Sequence, residues 1–208
     1  MDNRQEHLDN LSEIRQLMER SSSFISLSGL SGISAGILGL IMAFLMNEKI
    51  GSYLKFSYDI VLKPEKRGEI IIYTVILSVI GITAVFLLTS FFAARKAKKK
   101  GLSVWDGSAK RMLISLFIPL TCGGIFCIIL LYHHFDFIIL PSMLIFYGLA
   151  LINAGKYTLN EIKWLGISEI ILGLAALFFL DYAIEFWAAG FGLINIIYGT
   201  LMYFRHEK

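Results

Sequence analysis

The stretch Ile70-Ile-Ile-Tyr-Thr-Val-Ile-Leu-Ser-Val-Ile-Gly-Ile-Thr-Ala-Val-Phe-Leu-Leu-Thr-Ser-Phe-Phe-Ala93 holds 24 residues without a charge. It is followed almost at once by Arg95-Lys-Ala-Lys-Lys-Lys100. A hydrocarbon core about 30 Å thick takes about 20 apolar residues of α-helix to cross. A run of this length closed by cations is predicted to span a bilayer and stop there, with its basic end in the cytoplasm. Five further apolar stretches lie at 24–46, 112–132, 137–155, 164–180 and 186–204. The fifth of the six, 164–180, has only 17 residues and is expected to borrow Asp181 and Tyr182 at its interface.

Composition points the same way. The chain has 208 residues, 56% hydrophobic and 17% charged, with a mean hydropathy of +0.69. A soluble domain carries about 25% charged residues and must cover itself with polar groups. An ordinary cytosolic globule is thereby excluded, and so is disorder, which needs low hydrophobicity. Outside the six stretches the longest pieces are 1–23 and 47–69, of 23 residues each. Both fall below the roughly 40 residues a domain needs to bury a core unaided. The expected architecture is therefore all-α: a bundle of six transmembrane helices over residues 24–204, an amphipathic helix in 1–23, and a short tail at 205–208. Any chemistry must use the bundle or its short loops.

Lys and Arg set the orientation. Fourteen of them fall on the side that holds both termini, and five, among them Lys49, Lys63 and Arg67, on the other. Both termini are expected in the cytoplasm. The net charge of +3 is mostly this asymmetry, so no nucleic-acid partner is expected. Residues 1–23 are mixed in charge and amphipathic, unlike a signal peptide. Asn10 and Glu13 make a capping-box-like start, and Leu11, Ile14 and Met18 form one stripe. With both acidic and basic residues opposite that stripe, this helix is expected to dock under the bundle. The basic run Arg95, Lys96, Lys98, Lys99 and Lys100 anchors the second span and is expected to contact anionic lipid headgroups.

Small residues supply the clearest packing signal. Gly29, Gly32, Gly36 and Gly39 share one helical face, and Gly166 and Gly173 share a face of the fifth span. Such seams let helix backbones approach closely in lipid. The partner of the seam, another span or a second copy of the chain, stays open. Gly32-Ile-Ser-Ala-Gly-Ile-Leu-Gly-Leu-Ile-Met-Ala-Phe44 matches the stretch from Gly166 to Phe178 at eight of thirteen positions. That is either a parallel internal repeat or chance among Gly, Ile and Leu.

Glu169 is the carboxylate lying well inside an apolar stretch, on the glycine-rich face. An ionisable group there costs at least about 2.5 kcal/mol and usually has both a partner and a purpose. Asn153, Lys156 and Asn195 are the expected partners in a ligand or ion site. Glu169 is expected to be needed for activity and not for insertion. On the opposite side His133, His134 and Asp136 share one short loop. His with carboxylate suits Zn²⁺, but adjacent His residues on a helix end diverge by about 100°. Gly29-Leu-Ser-Gly32 and Gly32-Ile-Ser-Ala-Gly36 mimic serine-hydrolase signatures. A serine nucleophile needs a base in reach, and His7, His133, His134 and His206 all lie outside the apolar stretches. Cys122 and Cys127, five residues apart on one helix, cannot bridge each other.

Four stretches carry a family resemblance: Leu11-Ser-Glu-Ile-Arg-Gln-Leu-Met-Glu-Arg-Ser-Ser-Ser-Phe-Ile-Ser-Leu-Ser-Gly-Leu-Ser-Gly-Ile33, Trp105-Asp-Gly-Ser-Ala-Lys-Arg-Met-Leu113, Ile118-Pro-Leu-Thr-Cys-Gly-Gly-Ile-Phe126 and Gly190-Phe-Gly-Leu-Ile-Asn-Ile-Ile-Tyr-Gly199. The chain resembles a family of six-span bacterial inner-membrane proteins with no assigned activity. The resemblance implies a bacterial cytoplasmic membrane and supplies no activity, cofactor or catalytic residue. The leading expectation is a non-enzymatic sensor, regulatory or assembly component. The alternative is a small transporter or channel for a proton, an ion or an apolar ligand, working through Glu169. A membrane-embedded enzyme comes third, because no acid–base pair supports it.

Overall fold

The computed structural model describes residues 28–56, 64–99 and 107–206. Among the described residues 95% are helical and none lies in a strand. The helices are α1 (Gly29–Phe56), α2 (Pro64–Lys99), α3 (Gly107–Tyr132), α4 (Ile139–Ala154) and α5 (Asn160–Phe178). The last span is composite: α6 (Ala183–Trp187), a π-helical turn (Ala188–Ile194) and α7 (Asn195–His206). Five helical segments are long and apolar enough to cross a membrane: Gly29–Lys49, Arg67–Lys96, Ala109–Tyr132, Asp136–Tyr157 and Leu180–Arg205. The sixth helix, α5, has 19 residues and carries Glu161, Lys163 and Glu169, which lowers its apolar character without shortening it. The set fits a multi-pass membrane protein. The N-terminal amphipathic helix and the first residues of the first span, 24–27, lie outside the described residues, as do 207–208.

The helices overrun the apolar stretches. α1 continues to Phe56 and α2 starts at Pro64, so most of the expected loop 47–69 is helix. Helix propagation past the hydrocarbon boundary adds one backbone bond per residue fixed. Proline is pre-shaped for the first helical position, where an N–H has no intrahelical partner. On the other side α2 carries the basic run through Lys99. Pro119 sits inside α3 without ending it. Proline is tolerated in membrane helices where neighbouring groups satisfy the freed carbonyl.

Polarity is inverted relative to a soluble protein. Ile72, Ile82, Phe86, Ile114, Ile128 and Phe178 are exposed, while Ser31, Ser142, Glu169 and Asn195 are buried. Hydroxyls on the apolar faces bond back along their own helix: Thr74 to the Ile70 carbonyl at 2.7 Å, Thr83 to Val79 at 2.7 Å, Thr121 to Phe117 at 2.8 Å. A hydroxyl facing lipid has no water, so it bonds to the backbone of its own helix.

Packing is sequential around the last span. α1 lies between α2 and α7, α4 lies between α3 and α5, and the π turn touches both α1 and α5. The outer helices α2 and α3 each bury 11% of their apolar window, against 44% for the span containing α4. Two seams of small residues build this arrangement. On α1, Gly29 faces Gly199 and Tyr203, Gly32 faces Gly199, Gly36 faces Gly192 and Ile196, and Gly39 faces Phe191. On α5, Gly166 faces Gly148 and Ile152 of α4, while Gly173 faces Pro141 and Ile145. Both seams are therefore filled within one chain.

Two ion pairs close the ends. Arg67, at the start of α2, donates from Nε to Asp136 Oδ2 at 3.0 Å, from Nη2 to Asp136 Oδ1 at 3.0 Å, and from Nη2 to the Leu131 carbonyl at 2.8 Å. Arg205 donates from Nη1 to Glu161 Oε1 at 3.0 Å, joining α7 to the start of α5. The first pair lies on the side expected to be external, the second on the side expected to be cytoplasmic.

Candidate functional site

Glu169 has none of its surface exposed. Its position follows from helical spacing: Gly166 and Gly173, three residues before and four after, lie on the same face and press against α4. The absence of a side chain at Gly148 and Gly166 brings the two backbones together and leaves Glu169 pointing into the bundle. Across from it, Gly190 of the π turn provides the room. A Cβ added at Gly190 would collide with Glu169 Oε2 and with Leu144.

Asn195 organises the site. Its Nδ2 donates to Glu169 Oε1 at 3.3 Å and to the Gly190 carbonyl at 3.1 Å. Its Oδ1 accepts from the Tyr147 hydroxyl at 3.2 Å. One amide thus ties α4, α5 and the two halves of the last span. Glu169 Oε2 has no hydrogen-bond partner, and neither has Trp187 Nε1. An aromatic wall flanks the cluster. Tyr147 stacks on Phe191 with centroids 4.7 Å apart, and Trp187 packs on the same ring at 4.7 Å. Ser168 and Tyr198 approach within 3.4 Å alongside. A carboxyl, an amide and a phenol in this arrangement can hold a conformation or accept a hydrogen bond at Oε2. They contain no nucleophile poised beside a base.

Of the residues expected to meet Glu169, Asn195 does so and two do not. Lys156 is exposed, and Asn153 is half-buried without a bond to the carboxyl. Gly155 packs against Lys163, six residues or about 9 Å along the helix from Glu169. Both side chains therefore lie near the end of the helix pair, away from its middle. Antiparallel register decided this. On the far side, Asp136 is engaged by Arg67, while His133 and His134 are exposed. His134 adopts φ 64°, the left-handed turn that ends α3. No group of three or more His, Cys, Asp or Glu side chains gathers as metal ligands among the described residues. In the basic run, Arg95 and Lys98 are exposed, and Lys96 is only 8% exposed. The side chain of Lys99, and Lys100 as a whole, lie outside the description. Cys122 and Cys127 are free thiols.

Two members of the network, Tyr147 and Gly190, were not singled out by the sequence, nor was Arg67 as the partner of Asp136. Tyr147 could have been found as a phenol mid-way along an apolar span, and Gly190 as a glycine five residues before a buried amide. Arg67 gave no sign beyond its charge.

The chain matches no protein-family model, no curated protein and no solved structure at significant similarity.

Proposed function

We propose that the chain is a non-enzymatic component of a bacterial cytoplasmic membrane, a sensor, regulatory or assembly subunit, with both termini in the cytoplasm. The observation that carries this reading is the Glu169–Asn195–Tyr147 network. It is buried in the centre of the bundle and joins three spans through one amide. Breaking the amide's bonds would leave unpaired polar groups in an apolar interior, which costs about 1–3 kcal/mol each and ties the three spans to one arrangement. Such a group suits a protein whose output is a conformation or a contact. The carboxyl has none of its surface exposed. The internal use of both glycine seams supports partner contact through other surfaces, such as the outer faces of α2 and α3, the exposed Arg95 and Lys98 toward anionic lipid, and the stripe Leu11, Ile14 and Met18.

The test is isolation of the tagged protein from its native membrane at native expression level, in mild detergent, with mass spectrometry of what accompanies it. A stoichiometric protein partner, lost on deletion of residues 1–20 while the bundle still inserts, is the expected result. Recovery of the chain alone, with the deletion silent in the cell, overturns the reading. Reporter fusions at each end test the orientation.

A second reading, transport of a proton, an ion or an apolar ligand, draws on the unpartnered Glu169 Oε2. Intramembrane carboxyls mark ion and proton pathways in many carriers. It predicts that reconstituted protein dissipates a pH or ion gradient and that Glu169→Gln abolishes this.

A further inference from the structure

The buried positions of the last span are spaced unevenly. They are Ala183, Ile184, Trp187, Gly190, Gly192, Asn195, Gly199 and Met202; Gly190 and Asn195 meet Glu169, while Gly192 and Gly199 meet α1. The two that meet Glu169 are five residues apart, where an α-helix repeats a face every three or four. The π turn Ala188–Ile194 covers that step. It accommodates one residue more than an α-helix would between the two halves. Continued α-helix from Gly190 would put positions 194, 198 and 201 where Asn195, Gly199 and Met202 stand. Leu201 is 54% exposed, whereas Met202 is 4% exposed, so the π register is the one the packing uses.

The same five-residue step is bridged by a side chain. Asn195 Nδ2 reaches back to the Gly190 carbonyl and, with its other hydrogen, to Glu169. π turns are rare, occur mainly as single turns inside α-helices and concentrate at functional sites. Beyond the turn, α7 supplies Gly199 and Tyr203 to the α1 seam at Gly29 and Gly32. Relaxing the turn to α-helix would rotate α7 by about 100°, the angle of one residue. That rotation would take Gly199 out of the seam at the end of α1 where residues 1–27 join.

We propose that the Glu169–Asn195 contact is a register latch: made, it holds the π turn and seats α7 on α1; released, it lets the turn relax and α7 rotate away. The latch converts an event at a buried carboxyl into a rearrangement beneath the bundle. Its use as a signal rests on the regulatory reading above. The latch itself rests on packing alone.

The experiment uses the full chain in proteoliposomes, with Cys122 and Cys127 replaced and single spin labels placed at successive positions from 196 to 204, omitting Gly199. Oxygen accessibility, which reports contact with lipid, should peak at Ile197, Leu201 and Phe204, all exposed in the π register. In Glu169→Leu and Asn195→Leu the peaks should move one residue, to 196, 200 and 203. They should stay in place in Glu169→Gln, which keeps an acceptor oxygen. Deleting Leu193, which is exposed, removes the extra residue. The deletion should hold the wild-type peaks, alone and combined with Glu169→Leu. A label at Ile118 on α3 reports an intact bundle. Unmoved peaks in both leucine variants, with the Ile118 signal normal, overturn the proposal. Where those variants lose the Ile118 signal, Glu169→Ala and Asn195→Ala, which break the contact without adding bulk, decide: peaks moved by one residue uphold the latch, and unmoved peaks overturn it. Partner capture plays no part in this measurement, so either proposal can fail without the other.

Discussion

Gly148→Ala tests the reasoning about the α4–α5 seam most directly. A Cβ at Gly148 would lie 2.5 Å from the Gly166 carbonyl oxygen and 2.9 Å from the Ile170 nitrogen. Ordinary contact begins at 3.4 Å, so the added carbon falls about 0.9 Å short. Both opposing atoms are backbone, and neither can swing aside. The helices must separate by nearly that amount at their closest point. A radial gap of 0.5–1 Å forfeits roughly a quarter to a half of each dispersion contact along the seam, and overpacking costs about 1–3 kcal/mol. Against this, alanine gains up to about 1 kcal/mol over glycine in helix propensity. The clash is against rigid atoms, so it wins, and a net loss of about 1–2 kcal/mol is expected. Gly124→Ala is the control. Nothing lies within 4 Å of its added Cβ, so the propensity gain alone should appear. Reversible unfolding in mixed micelles, followed by tryptophan fluorescence, measures both. The double variant Gly148→Ala/Gly166→Ala should cost less than the sum of its parts, because one separation relieves both clashes. Gly148→Ala no less stable than Gly124→Ala would refute the seam as a backbone-to-backbone contact.

Gly190→Ala should displace the Glu169 carboxyl, which occupies the place of the missing side chain, and destabilise the bundle by about 1–3 kcal/mol in the same micelle titration. Arg67→Gln removes one partner of a largely buried, doubly hydrogen-bonded pair; a loss of about 1–3 kcal/mol is expected, below the range for a fully buried pair because Arg67 keeps 22% of its side chain exposed. Arg205→Ala should cost under about 1 kcal/mol, since that guanidinium is 74% exposed; an equal loss at both arginines would contradict the ranking by burial. Trp187→Phe removes a buried N–H without a partner, whose desolvation costs about 1–3 kcal/mol; this offsets the lost volume, so the variant should unfold within about 1 kcal/mol of wild type.

The sequence by itself determined the class of fold. Residues 70–93 had to lie in an apolar medium, because 24 uncharged residues cannot be hidden in a chain with so few polar ones. Helix is the way an isolated segment satisfies its backbone there. The burial of Glu169 was legible too, since Gly166 and Gly173 fix its face by local spacing. Its partners were a matter of tertiary structure. Asn195 was one of three polar side chains within plausible reach, and antiparallel register kept Asn153 and Lys156 out. The glycine seams announced close packing without naming what packs. Only the folded arrangement set Gly29 to Gly39 against the last span, and Gly166 to Gly173 against α4. The π turn was hidden for a physical reason. Alanine, glycine and leucine serve α and π registers alike, and the extra residue becomes visible only when burial on both sides of it is compared. Local pattern fixes the direction of each side chain from its own helix, and the packing of the helices decides what stands opposite.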